Sequence, residues 1–272
     1  MKTAFQILLV FLFVSTQIHA SDNYPAGARS LALANASVSL IDVWSTFHNQ
    51  ATLAGISNIS GAIYYESKFG IDKLALAAGT FVLPALSGTV GLSYRQFGKG
   101  TFKETKMGLA YARRLSERLN AGLQFDYFSN QFPENDRAFG FVTFELGVSY
   151  KINKEFLLAA HVFNPVSAGF ETNSGKQKMP AVFRMGGSFR PHETVLILAE
   201  VEKNGQREVD FKSGLEFVPL NHLAFRIGIS GSPYQFYGGM GYSFGQITTD
   251  IAFSYHGNLG FTPSVSLQFK LK

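Results

Sequence analysis

The 272-residue sequence has no cysteine and a single tryptophan. Without cysteine there is no disulfide framework, no zinc ribbon and no thiol nucleophile. Charge is scarce: 16% of residues are Asp, Glu, Lys or Arg against 46% hydrophobic, a balance that excludes a disordered chain. No apolar run reaches the ~18 residues of a membrane-spanning helix, and beyond residue 57 no stretch has the spacing of an amphipathic helix. His19, His48, His161, His192, His222 and His256 stand apart, at neither metal-ligand nor triad spacing. Beyond His19, which falls in the leader, they read as solvated turn or lumen residues. No catalytic site, metal or cofactor is read from this pattern, and the chain is not read as an enzyme. The run Gly238-Gly239-x-Gly241 falls inside a strand pattern rather than between a strand and a helix. It marks a bend or a close approach of another segment, not a phosphate loop.

What the sequence does have is 27 Phe, 11 Tyr and 27 Gly, a mixture that suits strands better than helices. Residues 1–20 form an export signal. Lys2 supplies the positive end, Phe5 to Val14 the apolar region, and Ile18 and Ala20 the −3 and −1 positions of a cleavage site. The ten-residue apolar region is too short to span a bilayer. From residue 21 onward, 23 basic side chains face 19 acidic ones, spread along the chain, which argues against a nucleic-acid partner.

Beyond residue 57 the dominant period is two. Val142, Phe144, Leu146, Val148, Tyr150 and Ile152 alternate with Thr143, Glu145, Gly147, Ser149 and Lys151. The same split recurs around Phe211–Phe217 and Leu223–Ile229. Such alternation means a strand with two unlike faces. Fourteen segments are read as strands: 58–67, 73–82, 86–97, 103–113, 119–129, 139–150, 155–163, 181–190, 194–202, 208–217, 221–230, 235–244, 247–255 and 263–271. Each is near the ~9–11 residues that a tilted strand needs to cross a bilayer. The connections segregate by parity: the odd-numbered ones run to 17 residues at 164–180, and none of the even-numbered ones exceeds 5. Long loops on one side and short turns on the other are the habit of outer-membrane barrels.

A soluble barrel would alternate too, so the face that is apolar decides. Here the polar face mixes Gly, Ser, Ala and Thr with charges of both signs: Glu66, Arg95, Asp126, Glu145, Arg184, Glu200, Asp210, Arg226 and Asp250. These are read as lumen-facing. The other face is Leu, Val, Ile and Phe with almost no charge, as lipid requires. An even strand number closes the sheet and leaves no open edge in hydrocarbon. Tyr94, Phe97, Tyr127, Phe128, Tyr150, Phe163, Phe217, Tyr242, Phe244 and Tyr255 are read as interfacial girdles. The expected fold is an all-β, 14-stranded antiparallel transmembrane barrel over 58–272.

Residues 21–57 break the pattern, with many Ala, Ser and Asn and the lone Trp. A fourteen-strand barrel is too wide for wall side chains to fill, and this segment is the right size to fold back as a plug, or hatch. Arg29 and Asp42 would then be buried charges needing partners. Wall carboxylates such as Glu145 or Asp210 are the expected partners of Arg29. Trp44 and Phe47 would fill volume, and Asn49 would satisfy irregular backbone.

Ala26-Gly27-Ala28-Arg29, Asp42-Val43-Trp44 and Phe47-His48-Asn49-Gln50-Ala51 resemble the amino-terminal hatch of PorV/PorQ-like barrels, within the wider FadL-type outer-membrane family. Gln50 stands where that family has Pro, and Ala34-Asn35 where Gly is common. The resemblance implies a hatch motif of Arg29, Asp42, Trp44, Phe47, Asn49 and Ala51. It also implies an accessory role in type IX protein secretion or surface export, with secretion-system proteins or secreted cargo as partners. The alternative is a FadL-like diffusion channel for a small hydrophobic ligand. Such a channel would need a wall irregularity, and strand 73–82 with Phe81-Val82-Leu83-Pro84 is the best candidate for it. Outer-membrane lipid surrounds the barrel in either case.

Overall fold

In the computed structural model, residues 23–100, 102–131, 138–172, 175–205, 207–231 and 234–271 are described; the leader read at residues 1–20 lies outside them. Fourteen strands close into one antiparallel barrel. The first seven are β1 (Ser60–Ser67), β2 (Ala75–Ala85), β3 (Gly88–Phe97), β4 (Lys103–Arg114), β5 (Leu119–Gln131), β6 (Ala138–Lys151) and β7 (Phe156–Phe163). Two short strands, β8 (Gly169–Thr172) and β9 (Gly175–Lys178), pair only with each other. The wall resumes with β10 (Val182–His192), β11 (Val195–Asn204), β12 (Asp210–Leu220) and β13 (Leu223–Gly231). It ends with β14 (Tyr234–Phe244), β15 (Ile247–His256) and β16 (Gly260–Lys270). β1 pairs with β16 from Ser60–Lys270 to Glu66–Ser264, so the sheet has no open edge.

The alternation sets the facing. On β6, Val142 and Val148 are 63% and 48% exposed, while Thr143 and Glu145 between them are 3% and 0%. The apolar row looks outward, where only lipid can cover it, and the polar row looks into the barrel. The two ends of the wall, Ser60 and Lys270, share one rim with the short turns, such as 86–87, 193–194 and 245–246. By that asymmetry this rim is periplasmic.

Three expectations need correction. Phe97, Phe128 and Phe163 are not girdle residues: each is buried inside the barrel, because each falls on the inward parity of its strand. β2 is no irregularity, since it pairs without a break with both β1 and β3. Register shifts occur instead at Phe189/His192 in β10 and Phe217/Leu220 in β12, both near the periplasmic rim. Finally, the long connection 164–181 is not a plain loop, because it carries the β8–β9 hairpin.

The interior is filled by residues 23–57. They form α1 (Ala28–Ala32), α2 (Ser45–His48) and a 3₁₀ turn over Gln50–Gly55, almost wholly buried. Small wall residues let this plug approach. A Cβ on Gly239 would lie 2.8 Å from that of Ala32, and one on Gly147 would collide with the Asn49 side chain.

Candidate functional site

The plug is fastened to the wall by charge. Arg29, at the start of α1, grips Glu216 of β12 with Nε and Nη2, both at 2.8 Å, and donates from Nη1 to Asp42 at 3.0 Å. The expected partners Glu145 and Asp210 lie elsewhere; Asp210 accepts from the Gly231 backbone at 3.1 Å. From Glu216 the network continues through Arg226 (2.7 Å) to Asp250 (2.7 Å) and Gln268 (2.8 Å). Signs alternate along it, which is how buried charges are tolerated. Burial alone would lower the Arg29 pKa, but Glu216 and Asp42 more than offset it and hold the guanidinium charged.

A second cluster centres on Arg184 of β10. Its Nε donates to Glu200 at 2.6 Å, and its Nη2 reaches the Asn35 carbonyl and Ser37 Oγ of the plug, both at 2.9 Å. Glu200 in turn accepts the Val38 backbone N–H at 2.8 Å. A third gathers on Glu145 of β6, which accepts from Lys106, from His161 Nε2 at 2.8 Å and from Gln50 Nε2 at 2.7 Å. Asp126 lies 3.5 Å from Lys106. His161, read as a solvated turn or lumen residue, is instead buried against Glu145, and Gln50, Lys106 and Glu216 were not singled out as site residues by sequence. Gln50 stood at a conspicuous position, but the wall residues had only their inward parity as a signal. Glu66 is also buried, bonded to the Tyr64 hydroxyl.

Trp44 and Phe47 are buried with ring centroids 6.2 Å apart, and Trp44 packs edge-on to Tyr64 at 5.8 Å. Asn49 donates to the carbonyls of Val38, Val148 and Ala160 and accepts from Ala51 N–H at 3.1 Å. Its amide therefore satisfies plug and wall backbone together. Gly27 has φ +105°, and a Cβ there would sit 2.8 Å from the Trp44 ring. His48, read as solvated, is fully buried, and its Nε2 donates to the Ala26 carbonyl at 2.9 Å. Burial, reinforced by the Arg184 charge, pushes it well below the usual imidazole range.

On the extracellular side of the Glu145 cluster lies an aromatic compartment. Phe128 stacks on Phe141 at 5.1 Å and meets Phe163 edge-on at 5.6 Å. The connection carrying β8–β9 adds Phe170, 6.0 Å from Phe141, and Met179. Asn164 anchors that connection: it accepts from Thr143 Oγ1 of β6 at 2.7 Å and donates to the carbonyls of Ala168 (3.0 Å) and Met179 (2.8 Å). Cations line the compartment's edge. The Lys106 ammonium lies 5.1 Å from the Phe163 ring, and the Arg95 guanidinium, paired with Glu104 at 2.8 Å, lies 5.9 Å from the Phe128 ring.

No protein-family model matches the chain, and no curated protein is similar to it in sequence. Solved structures are. The CymD monoaromatic hydrocarbon channel superposes with a TM-score of 0.71 at 11% identity, over 93% of this chain and 99% of that one. The Ralstonia pickettii toluene transporter TbuX gives 0.70 at 12% identity, over 90% and 98%. A Pseudomonas aeruginosa FadL homologue gives 0.66 at 12%, over 91% and 98%. With its plug, closed wall and lipid-facing belt, the chain has the FadL-type fold of an outer-membrane, 14-stranded β-barrel.

Proposed function

We propose that this barrel passes small hydrophobic molecules across the outer membrane, with the aromatic compartment under the β8–β9 hairpin as the receiving site. The observation that carries this reading is the inward aromatic set itself. Phe128, Phe141 and Phe163 line the extracellular part of the interior beside the Glu145 charges, and Phe170 and Met179 complete it from a connection that is not part of the wall. An apolar guest can replace Phe170 and Met179 against the wall rings at little cost, since one apolar contact is exchanged for another. Water and sugars cannot. The resemblance of the fold to hydrocarbon channels supports the same class of ligand.

Cells carrying the protein should take up toluene faster than cells with an empty outer membrane, with no gain for glucose. Phe128→Ala with Phe163→Ala should change toluene uptake at least several-fold and leave glucose unchanged. Toluene uptake at background would reject the reading. A role in surface export rests on the plug motif alone, among the features in hand. Recovery of secretion components with the tagged protein from mild detergent, together with background toluene uptake, would favour it.

A further inference from the structure

We infer that the aromatic compartment selects rings bearing a hydroxyl, phenols, over bare hydrocarbons, and that Asn130 of β5 makes the choice. The inference rests on that compartment being the receiving site. Register places two inward rows across β4, β5 and β6: Lys106, Phe128 and Phe141, and above them, toward the extracellular rim, Glu104, Asn130 and Phe139. Asn130 therefore stands over the stacked Phe128–Phe141 pair and beside Phe139, which packs against the same compartment. It is 1% exposed, and among the described residues neither its amide nitrogen nor its amide oxygen has a hydrogen-bond partner. Leaving a buried amide unsatisfied is costly, so such a group asks for a reason. The fold supplies none: Asn164, by contrast, commits its amide to Thr143, Ala168 and Met179 and so anchors the connection.

Phe170 lies 6.0 Å from Phe141. A guest ring in its place has Asn130 on the diagonal of the β5–β6 pair, where side chains about 7–8 Å apart still reach one another. A hydroxyl on that ring, turned toward the extracellular rim, donates to Oδ1 and accepts from Nδ2, so one oxygen satisfies both orphaned atoms. Toluene satisfies neither. A site with a buried polar group discriminates against the analogue lacking its complement, because the group then stays unpaired. A carboxylate is the wrong complement. Arg95 is held by Glu104 and Lys106 by Glu145, with Asp126 3.5 Å from Lys106, so the two bases already face three acids.

The test is calorimetric titration of the full-length protein in nanodiscs at pH 7, with empty nanodiscs as the blank. The probes are toluene, p-cresol (toluene with one hydroxyl added) and p-toluate (toluene with one carboxylate added). After subtraction of the blank, p-cresol should bind at least tenfold tighter than either of the others. Asn130→Leu, which removes the amide at similar volume, should cut the preference for p-cresol over toluene to below twofold. Asn130→Ala serves the same purpose if the first variant does not insert. Toluene and p-cresol binding alike to wild type would overturn the inference and leave the compartment as the receiving site. So would a preference that survives in both variants, or tightest binding of p-toluate. Binding of none of the three would overturn the reading of the compartment itself, and this inference with it.

Discussion

Two residues of the plug carry costs that can be read out singly. Ala34 and Asn35 both lie in the left-handed region, at φ 57° and 56°. An L-residue pays roughly 1–2 kcal/mol there, and glycine escapes that cost while losing some in unfolded-chain entropy. Ala34→Gly should therefore stabilise the seated plug by about 0.5–1 kcal/mol, seen as a higher urea midpoint in the emission of Trp44, the only tryptophan. That midpoint is informative because Trp44 itself is fully buried in the plug. His48 adds a pH dependence. Its pKa in the seated plug is depressed below the ~6.5 of a free imidazole. A released plug binds a proton below that pH and a seated one does not, so stability is full above pH 6.5 and declines as pH falls, by at most ~1.4 kcal/mol per unit. Asp42, its carboxyl raised by burial, works in the opposite sense on acidification. His48→Gln isolates the imidazole: the decline between pH 6.5 and 5 should flatten in that variant.

At the level of strands, the sequence was legible wherever parity alone decides. All fourteen wall strands are where period-two alternation puts them, to within a few residues at their ends. Parity also assigns each side chain a face, and Leu146→Arg, on the lipid side near the middle of β6, tests it. Arginine on the lipid side near the midplane costs about 2–4 kcal/mol, so folding yield into vesicles should fall several-fold. The opposite face is less forgiving than alternation suggests. Ser149 is 1% exposed and accepts from Asn120 Nδ2 at 3.1 Å, so an arginine there meets packed protein rather than an open lumen. Ser149→Arg should lower the yield as well. The girdle assignment of Phe97, Phe128 and Phe163 failed for a related reason. Nearness to a strand end was allowed to outweigh parity, and parity wins because a side chain cannot turn through the sheet. The β8–β9 hairpin was invisible because its strands are four residues each, too short for alternation to register.

For the whole molecule, closure was legible and the wiring of the plug was not. An even strand number and loop asymmetry need only local counting, whereas the partner of Arg29 lies 187 residues away and depends on which inward carboxylate the helix happens to face. Glu145 shows what that wiring is worth. Glu145→Gln removes the principal counter-charge of Lys106 and leaves Asp126 at 3.5 Å to compensate in part. Breaking a buried pair typically costs about 3–5 kcal/mol. The variant should lose an amount near the lower end of that range, measured by urea titration in vesicles.

The Arg29–Glu216 link also constrains biogenesis. The plug, ahead of the barrel in the chain, is the last part that can settle fully, because its docking groups on β10 and β12 are synthesised well over a hundred residues later. Until those ribbons are laid down the early segment's guanidinium has only Asp42 to meet and lacks the two-pronged grip of Glu216, so sealing the cylinder and stoppering it become one late, concerted step.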